Sequence, residues 1–475
     1  MAARAGIAKA LRLCAAVLAA AILLGALAPG ADAARRRRHR GAHTATATPT
    51  PRATPTMALS PLVLIAGGTG EITVPTGSSS AVLDSAEVYD VASGHFLPVA
   101  PMTEHRDRHA AVALKDGRVL IVGGVNTVLV PLIVFPGPAM PWILTSAATF
   151  SPLSGRFTAT QPMATARDDP TATLLRDGRV LVIGGGSATA EIFDPAANRF
   201  AAAADLTSSR YGQSATMLAD GRVLVVGGGD RQAEIFDPAA GKFTATGSMQ
   251  TNRIYHTATL LADGRVLIAG GSPYVRSEAV DTTELYDPRR GQFVAGPRML
   301  RSRAGHSATL LRDGRVLIAG GCEDASTELF DPSGNRFIAA QPMNSSRYGH
   351  SATLLPDGKV LIAGGWNQKY RPLASAEIYD PASGRFRPAA NMTQSRAGHT
   401  ATLIRASLPV TWTLPTPSPT ATETPTPTAT QSSTPTATQI PTPTATATST
   451  PTETGNPTST ATQSPTPTAA ASPPR

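Results

Sequence analysis

The chain has 475 residues, with 42 Gly and 41 Pro but only 5% aromatic and 16% charged residues. Gly and Pro both break helices, so this composition excludes a coiled coil and a helix-rich enzyme. The two cysteines exclude a disulfide framework and a cysteine-built zinc site. The formal charge is +9. Most of that surplus lies near the start, where Arg4, Lys9, Arg12, Arg35–Arg38 and Arg40 face one acid, Asp32. The rest is near neutral and lacks the basic footprint of a nucleic-acid-binding domain, so no nucleic-acid partner is expected.

Arg4, Lys9 and Arg12 precede an apolar run, Leu13 to Ala28, and then Ala31-Asp32-Ala33. This is the pattern of a secretory leader ending at Ala33, and the run is short for a membrane span. A signal peptide is therefore expected over 1–33. The product would be secreted or held at the cell surface, without a stable membrane anchor. Cys14 would leave with the leader, and Cys322 would be the one remaining thiol. Residues 34–56 hold the Arg run and then a Thr/Pro-rich linker. The Arg run reads as attraction to an anionic surface or, more simply, as a solvated basic tail. The linker and the tail at 406–475 are Thr-Pro-Ala low complexity, with too little apolar surface to offset the entropy of ordering. Both are expected to be disordered, extended spacers suited to O-glycosylation.

Between them, over 57–405, the chain repeats. An apolar run ending in Gly-Gly recurs seven times, at Gly68, Gly124, Gly185, Gly228, Gly271, Gly321 and Gly365. One clear copy runs His306–Leu311, Asp313-Gly314, Val316–Gly321, Glu328–Asp331 and Phe337–Met343. Short segments rich in Val, Ile, Leu and Thr, bounded by Gly, Asp and Pro, read as strands. Asp-Gly pairs at 116–117, 177–178, 220–221, 263–264, 313–314 and 357–358 predict two-residue hairpin turns with both residues at positive φ. Pro152, Pro195, Pro238, Pro288, Pro332 and Pro381 mark a second turn. Four antiparallel strands make a blade, and seven blades make an all-β, seven-bladed β-propeller. The strand Leu62–Gly68 lacks a preceding partner and His399–Ile404 lacks a following one. They are expected to pair with each other, closing the ring and removing an open edge.

The runs His-Ser-Ala-Thr-Leu-Leu, Asp-Gly-Arg-Val-Leu-Ile-Ala-Gly-Gly, Glu-Leu-Tyr-Asp-Pro and Gly-x-Phe resemble kelch repeats of the galactose-oxidase-like type, over residues 62–404. One departure is that the fourth-strand aromatic, often Trp in kelch repeats, is Phe in every copy: Phe96, Phe157, Phe200, Phe243, Phe293, Phe337 and Phe386.

An Arg recurs in every blade: Arg106, Arg167, Arg210, Arg253, Arg303, Arg347 and Arg396. A Glu opens the third strand in six blades: Glu87, Glu191, Glu234, Glu284, Glu328 and Glu377, with Ala148 in the second. The ring of Arg reads as an anion site or as structural Arg–Glu pairing, and repetition in every blade favours architecture. His109, His256, His306, His350 and His399 share one repeat position, replaced by Pro170 and Gln213 in two blades. A sevenfold ring spreads them apart, whereas metal ligands must converge, so structural hydrogen bonding is expected.

Loops after Gly-Gly are long in blade one, Thr69–Ser85, and blade two, Val125–Ser146. The second is apolar and is either an exposed interaction site or a space-filling lid. Val128, Leu132, Phe135, Trp142 and Trp366 are the candidate binding residues on this face.

The resemblance also implies a copper alternative, because Tyr255-His256 is similar to the Tyr-His pair that ligates copper in galactose oxidase. That site also needs a Tyr cross-linked to a Cys and a further His from a C-terminal domain. Gly212 stands where the cross-linked Tyr is expected, and a Thr/Pro tail replaces the domain. The expectation is a non-catalytic propeller without cofactor, binding an extracellular protein or carbohydrate. The alternatives are a divergent copper radical oxidase and a structural surface protein without a specific ligand.

Overall fold

The second strand of each blade, such as Val119–Val122, is an unbroken apolar run and is buried along its whole length. Alternate side chains explain this. Val119 and Ile121 pack against Leu62 and Leu64 of the preceding blade, and Leu120 and Val122 pack against Val180 and Val182 of the next. Both faces of the strand are core, so the apolar-polar alternation of a half-exposed strand disappears. Seven such clusters, one in each seam between blades, form the core.

The computed structural model describes residues 60–74, 77–127 and 142–406. The leader, the basic and Thr/Pro-rich segment before Ser60, the tail beyond Ala406, and Val128, Leu132 and Phe135 lie outside the described residues. Among those described there are seven four-stranded antiparallel sheets and no helix. Each inner strand neighbours the inner strands of the blades on either side, and the series closes on itself. The protein is a seven-bladed β-propeller. In every blade the third strand lays a Tyr or Phe against the fourth-strand Phe; Tyr89–Phe96 and Tyr379–Phe386 have ring centroids 4.9 and 4.8 Å apart.

The ring closes as the repeat pattern requires. Ser60–Ala66 pairs antiparallel with Thr400–Ala406, with Leu62 opposite Ile404, and on its other side with Ala86–Asp90. The first blade is thus a composite of both ends of the repeat region.

The Asp-Gly turns differ from expectation. Gly117 N–H donates to Leu114 O at 3.1 Å and Leu114 N–H to Arg118 O at 2.8 Å, so the loop has three residues, Lys115-Asp116-Gly117. Gly117 has φ +88°, while Asp116 is not left-handed. This is a type I turn followed by a left-handed Gly, not a two-residue turn with both positions at positive φ. The Asp instead uses its side chain: Asp116 Oδ1 accepts the Arg118 N–H at 3.0 Å and Oδ2 accepts from Arg118 Nε at 2.8 Å. The same backbone pair of bonds recurs at Gly178, Gly221, Gly264, Gly314 and Gly358.

The Gly-Gly ends and the entries to the inner strands lie on the opposite face, here called the axial face. Two small hairpins rise there: Thr69–Val74 with Gly77–Val82, and Val125–Asn126 with Trp142–Ile143.

Candidate functional site

The repeated Arg builds the floor of the axial face. Arg303 donates from Nη1 to Gly320 O at 2.8 Å and to Ser326 O at 3.0 Å. Its Nε and Nη2 lie 2.9 and 2.8 Å from Glu328 Oε1. Glu328 Oε2 in turn accepts the Leu300 N–H at 2.6 Å. The main-chain oxygen of Arg303 accepts the Gly271 N–H of the preceding blade at 2.8 Å. One residue therefore ties two strands of its own blade and the end of a strand in its neighbour. Equivalent ion pairs join Arg167–Glu191, Arg210–Glu234, Arg253–Glu284, Arg347–Glu377 and Arg396–Glu87, at 2.7–3.2 Å. In blade two, where Ala148 replaces the Glu, Glu104 reaches Arg106 Nη2 at 3.3 Å. All seven Arg are at most 1% exposed. Their donors are spent inside the blades and do not present guanidinium forks to a ligand.

The five histidines lie in the seams. Nε2 of His109, His256, His306, His350 and His399 meets a Ser or Thr hydroxyl of the preceding inner strand, at 2.8–3.0 Å. Burial, with the nearby Arg, holds His109, His256, His306 and His399 down to about 3 and His350 well below the usual imidazole range. All five are neutral.

Above this floor is a ring that the repeat pattern did not reveal. The residue two places after each Arg is left-handed: Arg108, Asp169, Gly212, Tyr255, Gly305, Gly349 and Gly398, with φ between +51° and +67°. The N–H of each donates to the carbonyl of the one before, as in Gly349 to Gly305 at 2.9 Å and Gly398 to Gly349 at 3.0 Å. The joint from Gly212 to Asp169 is absent. It falls between the two blades that carry Pro170 and Gln213 in place of His. Side chains gather over this joint. Arg108 donates to Tyr211 OH at 3.2 Å and to Asp168 Oδ2 at 3.0 Å, and Tyr211 stands edge-on to Tyr255 at 5.9 Å. Burial raises Asp107 to about 6, and burial with the Asp168 charge raises Asp169 to about 7. Arg108, Asp169 and Tyr255 hold left-handed backbone without being Gly, which is strained.

The axial surface over blades five to seven is different. In blades six and seven the inner-ring residues are Gly305 and Gly349, without side chains. A groove of about 890 Å³ opens beside them. Tyr348, Trp366 and Tyr370 form its aromatic wall, and Glu278, Glu323, Asp324 and Arg301 supply the charges. Trp366 is fixed by two backbone bonds with Tyr348, at 2.8 and 3.1 Å. A Cβ on Gly349 would come within 3.5 Å of the indole, so the ring lies against that glycine. Tyr348 and Tyr370 meet edge-on at 6.3 Å, and Tyr370 is 77% exposed. Gln368 Nε2 donates to Glu323 O, tying the aromatic loop to the acidic one. Cys322 also lines the groove and accepts from Arg303 Nη1 at 3.0 Å. Burial pushes its thiol up, which disfavours the reactive thiolate.

Of the candidate binding residues, Trp366 is in this groove. Trp142 is 68% exposed, beside Ile143 on the blade-two hairpin, and does not line the groove. Tyr348 and Tyr370 were not picked out from the sequence. For Tyr348 a signal was available: the position after the repeated Arg varies from blade to blade while the Arg does not.

Donor geometry bears on the copper alternative. His256 Nε2 is engaged by Ser214 Oγ at 2.9 Å, the same bond that the other four His make. Tyr255 belongs to the inner ring and faces Tyr211, with Gly212 beside it. Cys322 lies in blade six, held by Arg303. Among the described residues no group of three His, Cys, Asp or Glu is placed to hold a metal ion. The pair does not fit a copper centre of that kind.

The kelch motif matches residues 347–393, from the buried Arg of blade seven to the loop after its fourth strand. No curated protein matches the chain. Among solved structures, YjhT gives a TM-score of 0.46 at 13% identity, over 62% of this chain and 99% of that one. A fungal alcohol oxidase of the AA5 family, in complex with copper, gives 0.51 at 14% identity, over 74% of this chain and 95% of that one. At such identity the likeness is one of fold. The kelch match thus covers one blade of the seven-bladed propeller, and the AA5 oxidase is similar to it in fold.

Proposed function

We propose that this propeller is a non-catalytic binding module, exported from the cell, whose ligand is a carbohydrate held in the groove of blades five to seven. The observation that carries the reading is the wall of Tyr348, Trp366 and Tyr370 beside Glu278, Glu323, Asp324 and Arg301. Flat aromatic faces stack on the C–H faces of sugar rings, and carboxylate and guanidinium groups pair with hydroxyls. The wall rests on backbone already fixed by the ring, so little ordering is needed on binding. Export rests on the basic start, the apolar run and the Ala31-Asp32-Ala33 site. The reading includes no cofactor. Propellers host both binding and catalysis, so the site, not the fold, has to carry the function.

The test is a glycan array probed with the full chain, followed by calorimetry on any hit. Trp366→Ala is expected to weaken that binding about tenfold or more while the protein stays folded. An array on which nothing binds, or a hit indifferent to Trp366, would sink the carbohydrate reading.

A further inference from the structure

Resting on that carbohydrate reading, we infer that the sugar bound here carries a cationic amine, as in an oligosaccharide of free hexosamine. The groove combines an aromatic wall with an uncompensated negative charge. Arg301 lies 3.7 Å from Asp324 and neutralises it. Arg347 also lines the groove, but its charge is committed to the buried Glu377 at 2.7 Å. Glu278 and Glu323 are exposed and form no ion pair among the described residues. On the aromatic loop, Lys369 and Arg371 do not line the groove, and Arg371 is drawn 3.8 Å from Glu71 of the blade-one hairpin. The lining therefore keeps two carboxylates without an ion pair in the same groove as three aromatic rings.

An ammonium group is attracted by both features. Ring faces carry negative potential and attract a cation that comes within about 6 Å of a Trp or Tyr face. Carboxylates beside the rings add charge-assisted hydrogen bonds. A neutral sugar uses the stacking but leaves Glu278 and Glu323 without a counter-charge.

The experiment compares a glucosamine tetrasaccharide with its N-acetylated counterpart of the same linkage, titrated into the full chain at mildly acidic pH, where the free amine is protonated. The amine form is expected to bind about tenfold more tightly. That preference should shrink as salt is added. The double substitution Glu278→Gln and Glu323→Gln should abolish the preference and leave the N-acetylated form unchanged. Tyr370→Ala, at a surface position that cannot disturb the core, should weaken both forms. Equal binding of the two sugars overturns the inference while the carbohydrate reading stands. Binding of neither, on a folded protein, overturns both. A preference that survives the double substitution places the amine elsewhere and overturns the inference as well.

Discussion

A buried ion pair is costly to break from one side, because the partner is left charged and dry. Arg303 and Glu328 are both essentially inaccessible, at 0 and 1% side-chain exposure. Arg303→Met is therefore expected to cost about 3–5 kcal/mol of stability. Arg106 tests the same logic with a different partner. Its acid, Glu104, comes from the blade entry and is 41% exposed, so it can rehydrate when the Arg is removed. Arg106→Met should cost about 1–3 kcal/mol, mainly for the bonds it makes to Gly123 O and Ser146 O. Denaturant unfolding of both variants checks this. Equal losses would show that the carboxylate contributes nothing and that the carbonyl bonds alone hold the seam. Blade two is the natural control for this comparison, since Ala148 removed the internal Glu and Glu104 replaced it from outside.

At the scale of elements, glycines of nearly identical backbone do different jobs. Gly264 has φ +88° in a turn, with open space where a Cβ would go. Gly271 has φ +86° at the end of a strand, where a Cβ would come 2.6 Å from Ile254 O and 2.8 Å from the His256 Cβ. Gly264→Ala should cost only the left-handed penalty, about 1–2 kcal/mol. Gly271→Ala adds a clash with backbone that cannot move without opening the seam, and should cost about 2–5 kcal/mol in all. Thermal melts distinguish them, and matching losses would mean that the seam is softer than its geometry implies. This pair also shows what was legible beforehand. Apolar runs, Gly-Gly ends and turn residues are local signals, so the blades, their number and the pairing of 62 with 404 followed from the chain. The turn type did not, because whether Asp116 turns its backbone or uses its carboxylate on Arg118 depends on the side chain, not on the Asp-Gly pair.

For the whole molecule, the groove was the least legible feature because it exists only once the ring has closed. Tyr348 precedes an inner strand, Trp366 follows a Gly-Gly and Tyr370 sits in a loop, and ring geometry rather than spacing brings them together. Ring closure also couples the seams, and the histidines make that coupling sensitive to acid. Their folded values near 3 lie below the ordinary imidazole value of 6.5. The unfolded chain therefore takes up protons below about 6.5 that the folded ring refuses, and stability is lost as pH falls from there towards 3. Each His contributes a slope of about 1.4 kcal/mol per pH unit in that window. Asp107 and Asp169 act in the opposite sense. Their folded values of about 6 and 7 lie above the carboxylate value of 3.8, so they favour the folded state as pH falls through that range. Five imidazoles outweigh two carboxylates, and acidification destabilises. The melting temperature should be nearly flat above about pH 7 and fall steeply by about pH 4.5. His306→Gln, a residue that blade four already carries as Gln213, should shallow the slope by about one proton. A melting temperature unchanged across that range, or a slope unaltered in the variant, would mean that the seams admit a proton and that their histidines do not hold the ring as described.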